Sequence, residues 1–143
     1  MRYYIYCNEK KLNTNIQKAI DEFEKRLSAY CETQMIVSNI LSFPKDLKEN
    51  NHCFVYISKS NSTFTSIEFA NYIDSVSQSG KSNLHVIIGF EEYTVYEALS
   101  ALSVVPENIS LTKTALSNET LSLMFLEQLY RGYTILQGKT YHK

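Results

Sequence analysis

Two short runs constrain this chain more than any other feature: Cys53-Phe54-Val55-Tyr56-Ile57, and Leu84 to Ile88. The first is apolar without alternation. Successive side chains of a strand point to opposite faces, so such a run needs cover on both sides of its sheet. The second, which stops at Gly89, reads as another buried strand. Strands of this kind belong to parallel sheets clad by helices. The sequence also supplies the helices. Ile16, Ile20, Phe23, Leu27 and Tyr30 follow 4-3-4-3 spacing, one stripe of an amphipathic helix that Asn13 or Thr14 caps. Its charged residues, among them Lys18, Asp21, Glu22 and Arg26, fill a solvated face.

The remaining segments alternate in the same way. Tyr3 to Cys7 and Gln34 to Ile40 have the β-branched and aromatic content of strands. Leu41 to His52, polar and holding Pro44, is a connection with room for a helical turn. Ser66 opens a helix through Phe69, Ala70, Ile73 and Val76, ending where Gly80 takes a left-handed cap. Thr94 to Val104 reads as a short helix stopped by Pro106, and Asn108 to Leu111 as a last strand. Ser117 or Asn118 caps a final helix that runs to Gln137, with Gly138 behind it. The rhythm is that of a single α/β domain over residues 1–143 with a mostly parallel sheet.

Composition narrows the class further. Four glycines and two prolines in 143 residues exclude linker-like and collagen-like chains. No apolar run approaches the roughly 20 residues of a membrane span, and Met1 to Tyr6 leads straight into a strand rather than a secretory signal. The expectation is a cytoplasmic protein that does not engage a membrane. Lys and Arg number 14 against 15 Asp and Glu, a net charge of −1, so the global basic excess of many nucleic-acid binders is missing. Cys7, Cys31 and Cys53 show no metal-ligand spacing and read as small buried thiols, with no metal site. The final helix is apolar around most of its circumference between Leu121 and Leu136, which predicts a homodimer paired through that helix.

One stretch is specific enough to carry a resemblance. Leu126-Glu127-Gln128-Leu129-Tyr130-Arg131, with the terminal Tyr141-His142-Lys143, resembles the end of the RlmH family of SPOUT-class methyltransferases, whose motif reads LEQ-[IL]-YRA. Phe69-Ala70, Gly80-Lys81-Ser82, Val86 to Gly89 and Ser110 to Lys113 are supporting matches, so the resemblance spans the whole chain. It implies an α/β knot, a trefoil-knotted fold in a homodimer, with the cofactor-binding knot over roughly residues 84–143. The implied activity is methylation of N3 of a pseudouridine in large-subunit ribosomal RNA, with S-adenosyl-L-methionine as cofactor. Carried over position by position, the cofactor would contact Ile57, Gly89, Phe90 and the loop Thr112, Lys113, Thr114, Ala115, Leu116 and Ser117. Arg131, Tyr141 and His142 would face RNA or complete the catalytic site.

Departures from the family pattern fall in the same region. The family's Gly-Gly-x-x-Gly turn is here Gly89-Phe90-Glu91-Glu92-Tyr93, so Phe90 and Tyr93 are expected to crowd the cofactor space and weaken or abolish its binding. The family's Thr-Phe-Pro-His is Ala115-Leu116-Ser117-Asn118, and an arginine one turn later is Ser122. These changes, with Glu91 and Glu92, remove attraction for phosphate and predict weakened binding to ribosomal RNA or the ribosome. Lys113, Arg131, Lys139, Lys143 and His142 would supply what positive charge remains, with Tyr130, Tyr133 and Tyr141 stacking on an unpaired base. Two functions fit: a methyltransferase of this family with degenerate motifs, or a catalytically inactive SPOUT-fold paralogue acting as a binding or interaction protein.

Overall fold

The two constraining runs lie side by side in a five-stranded, wholly parallel sheet. The computed structural model describes residues 1–44, 47, 51–58 and 62–140. In chain order the elements are β1 (Arg2–Cys7), α1 (Thr14–Leu27), β2 (Glu32–Val37), β3 (His52–Ile57), α2 (Ser66–Gln78), β4 (Asn83–Ile88), α3 (Glu92–Ser100), β5 (Glu107–Ile109) and α4 (Asn118–Leu136). The strand order is β2-β1-β4-β3-β5. All six residues of β4, the central strand, are buried, whereas His52, Cys53 and Tyr56 of β3 are half-buried.

Strand alternation divides the core between two faces. Tyr3, Ile5, Leu84, Val86, Ile88, Val55 and Ile57 point towards α1, α2 and α4. Tyr6, Phe54 and Ile87 point the other way and meet Phe90, Val95 and Leu99 around α3. On the first face α4 packs against both neighbouring helices. Phe69 of α2 meets Phe125 edge-on at 5.7 Å, and Phe23 of α1 meets Tyr130 at 6.2 Å. Tyr30, just beyond α1, stacks on Tyr133 at 5.5 Å. Part of the apolar circumference of α4 is therefore covered within the chain, with Phe125, Leu126 and Leu129 buried. Leu123 and Met124 stay half-buried, and only Ile135 and Leu136, near the C-terminal end, are large exposed apolar residues of α4.

Caps agree with the sequence more closely than strand ends do. Asn13 accepts from Asn15 N–H and starts α1; Thr65 and Glu68 form a reciprocal capping box on α2; Ser117 accepts from Thr120 N–H on α4. Gly80 and Gly138 take positive φ behind α2 and α4. In contrast, β2 begins two residues before the expected Gln34 and stops at Val37, because its parallel pairing runs from Arg2↔Glu32 to Cys7↔Val37 and ends where β1 ends. The expected strand Asn108–Leu111 is Glu107–Ile109, its extent fixed by pairing with Val55 to Ile57. α3 runs Glu92–Ser100 rather than Thr94–Val104. Ser103, at φ 54°, turns the chain so that Val104 N–H reaches back to Leu99 C=O, well before Pro106. Of the connection Leu41 to His52, where room for a helical turn was expected, residues 45–46 and 48–50 lie outside the described residues.

Cys7 and Cys31 are buried, Cys53 is half-buried and all three are free thiols. Burial pushes the Cys31 and Cys53 thiols up to about 11.

Candidate functional site

Parallel α/β sheets present their ligand sites outside the carboxyl ends of the strands. Here a cleft of about 540 Å³ opens beyond β3, β4 and β5, within the size range of small-molecule sites. Its walls are Tyr56, Ile57 and Ser58 at the end of β3, Gly89 to Glu92 after β4, Leu111, Thr112, Thr114 and Leu116 after β5, and Asn118 and Leu121 from α4. The chain leaves β5 at the sheet edge, crosses the ends of β3 and β4, and enters α4 beside Gly89.

Each wall is held by local bonds. Ser58 N–H donates to Ile109 C=O at 2.9 Å, joining β3 to the start of the crossing loop. That loop braces itself: Ser110 Oγ donates to Thr112 C=O at 3.1 Å, and Thr114 N–H donates to Thr112 Oγ1 at 3.1 Å. Asn118 Nδ2 donates to Asn8 C=O at 3.0 Å, while Asn8 Nδ2 donates to Gly89 C=O at 3.0 Å and Asn39 Nδ2 to Asn8 Oδ1 at 2.9 Å. Gly89 sits at φ +86°, and a Cβ there would run into the Asn118 side chain. Only glycine meets both conditions. Glu119 Oε2 accepts from Asn13 N–H at 2.8 Å, tying the start of α1 to α4 at the same end of the sheet.

Of the residues singled out for the cofactor, Ile57, Gly89, Phe90, Thr112, Thr114 and Leu116 line this cleft together. Lys113, Ala115 and Ser117 are exposed neighbours that do not line it, and Ser117 caps α4. Tyr56, Ser58, Leu111 and Leu121 join the lining without having been singled out. The signal for Tyr56 and Ser58 was present in their position beside Ile57 at a strand's carboxyl end. Leu121 required knowing where α4 begins in space.

Of the catalytic candidates, Arg131 is the one among the described residues, and it lies away from the cleft. α4 runs from the cleft to the opposite end of the sheet, so Arg131 lies about 20 Å beyond Asn118 along the helix at 1.5 Å per residue. Its Nη2 pairs with Glu127 Oε1 at 2.8 Å, and its Nε donates to the same oxygen at 3.1 Å. Tyr141 and His142 lie outside the described residues.

Three expectations about the departures are corrected. Phe90 does not crowd the cleft with its ring, which is 5% exposed and packs among Tyr6, Val95 and Leu99 on the α3 side. Tyr93, 74% exposed, does not line the cleft either. Ser122 is fully buried, with its hydroxyl donating to Asn118 C=O at 2.9 Å and lying against Cys7. The serine therefore sits inside the packing and is not part of the cleft or of an exposed face. Nor are Tyr130 and Tyr133 open platforms: Tyr130 packs against Phe23 and Tyr30, and Tyr133 stacks on Tyr30 while its hydroxyl meets that of Tyr3 at 2.8 Å.

Among the described residues no three His, Cys, Asp or Glu side chains converge as a metal site requires, and no helix is long and apolar enough to cross a membrane.

Comparison with known proteins places this arrangement. The family described as "Predicted SPOUT methyltransferase" matches residues 1–142. "Ribosomal RNA large subunit methyltransferase H 1" of Thermoanaerobacter sp. (strain X514) is 30% identical over 144 residues, covering all of both chains. "Ribosomal RNA large subunit methyltransferase H" of Clostridium tetani (strain Massachusetts / E88) is 27% identical over 90% of this chain and 91% of its own. The enzyme of that name from Flavobacterium johnsoniae is also 27% identical, over 91% of each chain. This chain belongs to the SPOUT methyltransferase family.

Proposed function

We propose that this protein is an S-adenosylmethionine-dependent methyltransferase acting on large-subunit ribosomal RNA, at N3 of a pseudouridine. The observation that carries the reading is the cleft itself: the β3 end, the Gly89 turn and the loop after β5 converge on one space. The residues present suit the cofactor. Ile57, Leu111, Leu116 and Leu121 offer apolar walls for an adenine, while Thr112, Thr114, Tyr56 and backbone groups offer polar contacts for a ribose and an amino-acid tail. Residues 84–143 form the knotted, cofactor-binding half in this reading, supported by the chain's return from β5 across the ends of β3 and β4.

When bound, S-adenosylmethionine supplies an electrophilic methyl group on a positively charged sulfur. The chain's own part is orientation. The Gly89 turn and the braced loop fix the cofactor's direction, and the apolar walls exclude water from around it. Among the described residues no histidine, lysine or arginine lines the cleft, and Glu91 and Glu92 are the carboxylates at its wall that can take up the acceptor nitrogen's proton. Positioning then supplies most of the rate enhancement. Arg131 acts from a second copy, paired through α4, in this reading, because α4 carries it away from the cleft of its own subunit; the family resemblance gives Tyr141 and His142 a part in the same catalytic site.

The lack of a histidine or cation among the described lining residues favours a second reading, a non-catalytic SPOUT dimer that binds ligand or RNA. Ribosomes lacking the modification, incubated with the protein and methyl-labelled cofactor, separate the two. The methyltransferase reading predicts label on N3 of a pseudouridine; cofactor binding without any transfer supports the second.

A further inference from the structure

The turn after β4 departs furthest from the family's glycine pattern, and its packing gives that departure a use. The Phe90 ring is anchored in the α3-side core, and the Phe90 carbonyl accepts from Tyr56 Oη at 3.0 Å. Held from below by the ring and from the side by the hydroxyl, the backbone enters α3 at a set place and brings Glu91 and Glu92 to the cleft wall. Among the described lining residues these two carry the only formal charges; Lys113 adjoins the cleft without lining it. Burial raises the Tyr56 pKa, and both carboxylates raise it further, as groups that share its surroundings do.

We propose that Glu91 and Glu92 make this cleft choose its nucleoside ligand by charge. It takes a ligand with a positive sulfonium or ammonium centre over the neutral thioether, and rejects phosphate-bearing nucleotides. The inference rests on the cofactor reading given above. In the transfer step the sulfur–methyl bond would break with its electron pair staying on sulfur, the methyl would bond to the acceptor nitrogen, and that nitrogen's proton would pass to a cleft carboxylate or to water. The ligand is then neutral, so the carboxylates that favour the cofactor no longer favour the product. Both side chains are exposed, so the effect is modest and screened by salt.

Titration calorimetry at low salt tests this with S-adenosylmethionine, its ammonium analogue sinefungin, S-adenosylhomocysteine and ATP. The wild type, Glu91→Gln/Glu92→Gln and Glu91→Asp/Glu92→Asp are compared. The wild type is expected to bind the two cationic ligands about three- to tenfold tighter than the thioether, and ATP weakest. The Gln pair should lose that preference while keeping its affinity for the thioether, and the Asp pair should retain it. Equal ratios in the wild type and the Gln pair would overturn charge selection and leave the cofactor reading standing. A wild type that binds none of the nucleosides would overturn both. A Gln pair that loses every ligand reports a collapsed turn; the decision then rests on the Asp pair and on the wild-type preference shrinking in high salt, and a preference insensitive to salt overturns the proposal.

Discussion

The two ends of α4 are built from different interactions, although one helix carries both. Towards the C-terminal end, Phe125, Leu126, Leu129 and Gly132 are buried between α1, α2 and the sheet, and side-chain shape decides what fits. At the N-terminal end, Asn118 and Leu121 border the cleft, and the work is done by backbone: a positive-φ glycine, a self-bracing loop and carbonyls held by asparagine amides. Side-chain packing keeps a recognisable motif, because each residue has several neighbours to satisfy. A backbone-built cleft tolerates new side chains when these turn away from it, as Phe90 does. Motif loss at the cleft end is therefore a poor measure of lost binding.

The largest expected effects separate the two ends. Leu129→Ala should cost about 2–5 kcal/mol of stability by leaving a cavity, with cofactor affinity of the folded protein unchanged. Gly89→Ala should cost about 1–3 kcal/mol through its backbone conformation and, by displacing Asn118, also weaken cofactor binding more than about tenfold. Denaturant unfolding and calorimetry on each variant check both halves, and a Leu129→Ala protein with weakened affinity would break the distinction.

The sheet's other face supplies a control that should move stability without touching either end. His85 is fully buried, with Nδ1 2.9 Å from Tyr6 Oη and Nε2 3.0 Å from His52 Nδ1, between the stacked rings of Tyr4 and Phe54. Burial, with a smaller contribution from His52, lowers its pKa to about 4. An unfolded histidine titrates near 6.5, so stability is full above that pH. As the pH falls towards 4, the unfolded chain takes up a proton that the folded chain refuses. Stability measured by denaturant at pH 5 should be about 2 kcal/mol lower than at pH 7 on this account. His85→Phe should flatten that dependence.

The smallest effect concerns the one departure at the packing end. Gly132 stands where the family motif has alanine, and a Cβ there would meet the Ala70 Cα at 3.5 Å, an ordinary contact. Gly132→Ala should therefore stabilise by about 0.5–1 kcal/mol through helix propensity, read as a rise in the denaturation midpoint.

What was legible in the sequence follows the same division. Helix caps and the stripes of α1 and α2 are local signals, and they placed those elements closely. The ends of β2 and β5 depend on where their partner strands run out, which no local pattern records. The stop of α3 rests on Ser103 adopting a backbone conformation that its identity does not announce. For the site, the segments that meet at the cleft could be named from the resemblance. The direction of the Phe90 ring could not, because it depends on how the chain turns after Gly89. Likewise, the apolar circumference of α4 did not reveal how much of it α1 and α2 cover.

The central claim is that a cleft built from backbone at the carboxyl end of the sheet binds S-adenosylmethionine despite its altered side chains. Amide hydrogen exchange with and without the cofactor tests it most directly. The account predicts added protection concentrated in residues 56–58, 89–92 and 111–118, with the Leu126 to Gly132 stretch of α4 unchanged. No added protection at saturating cofactor, or protection centred at the far end of α4, would contradict it.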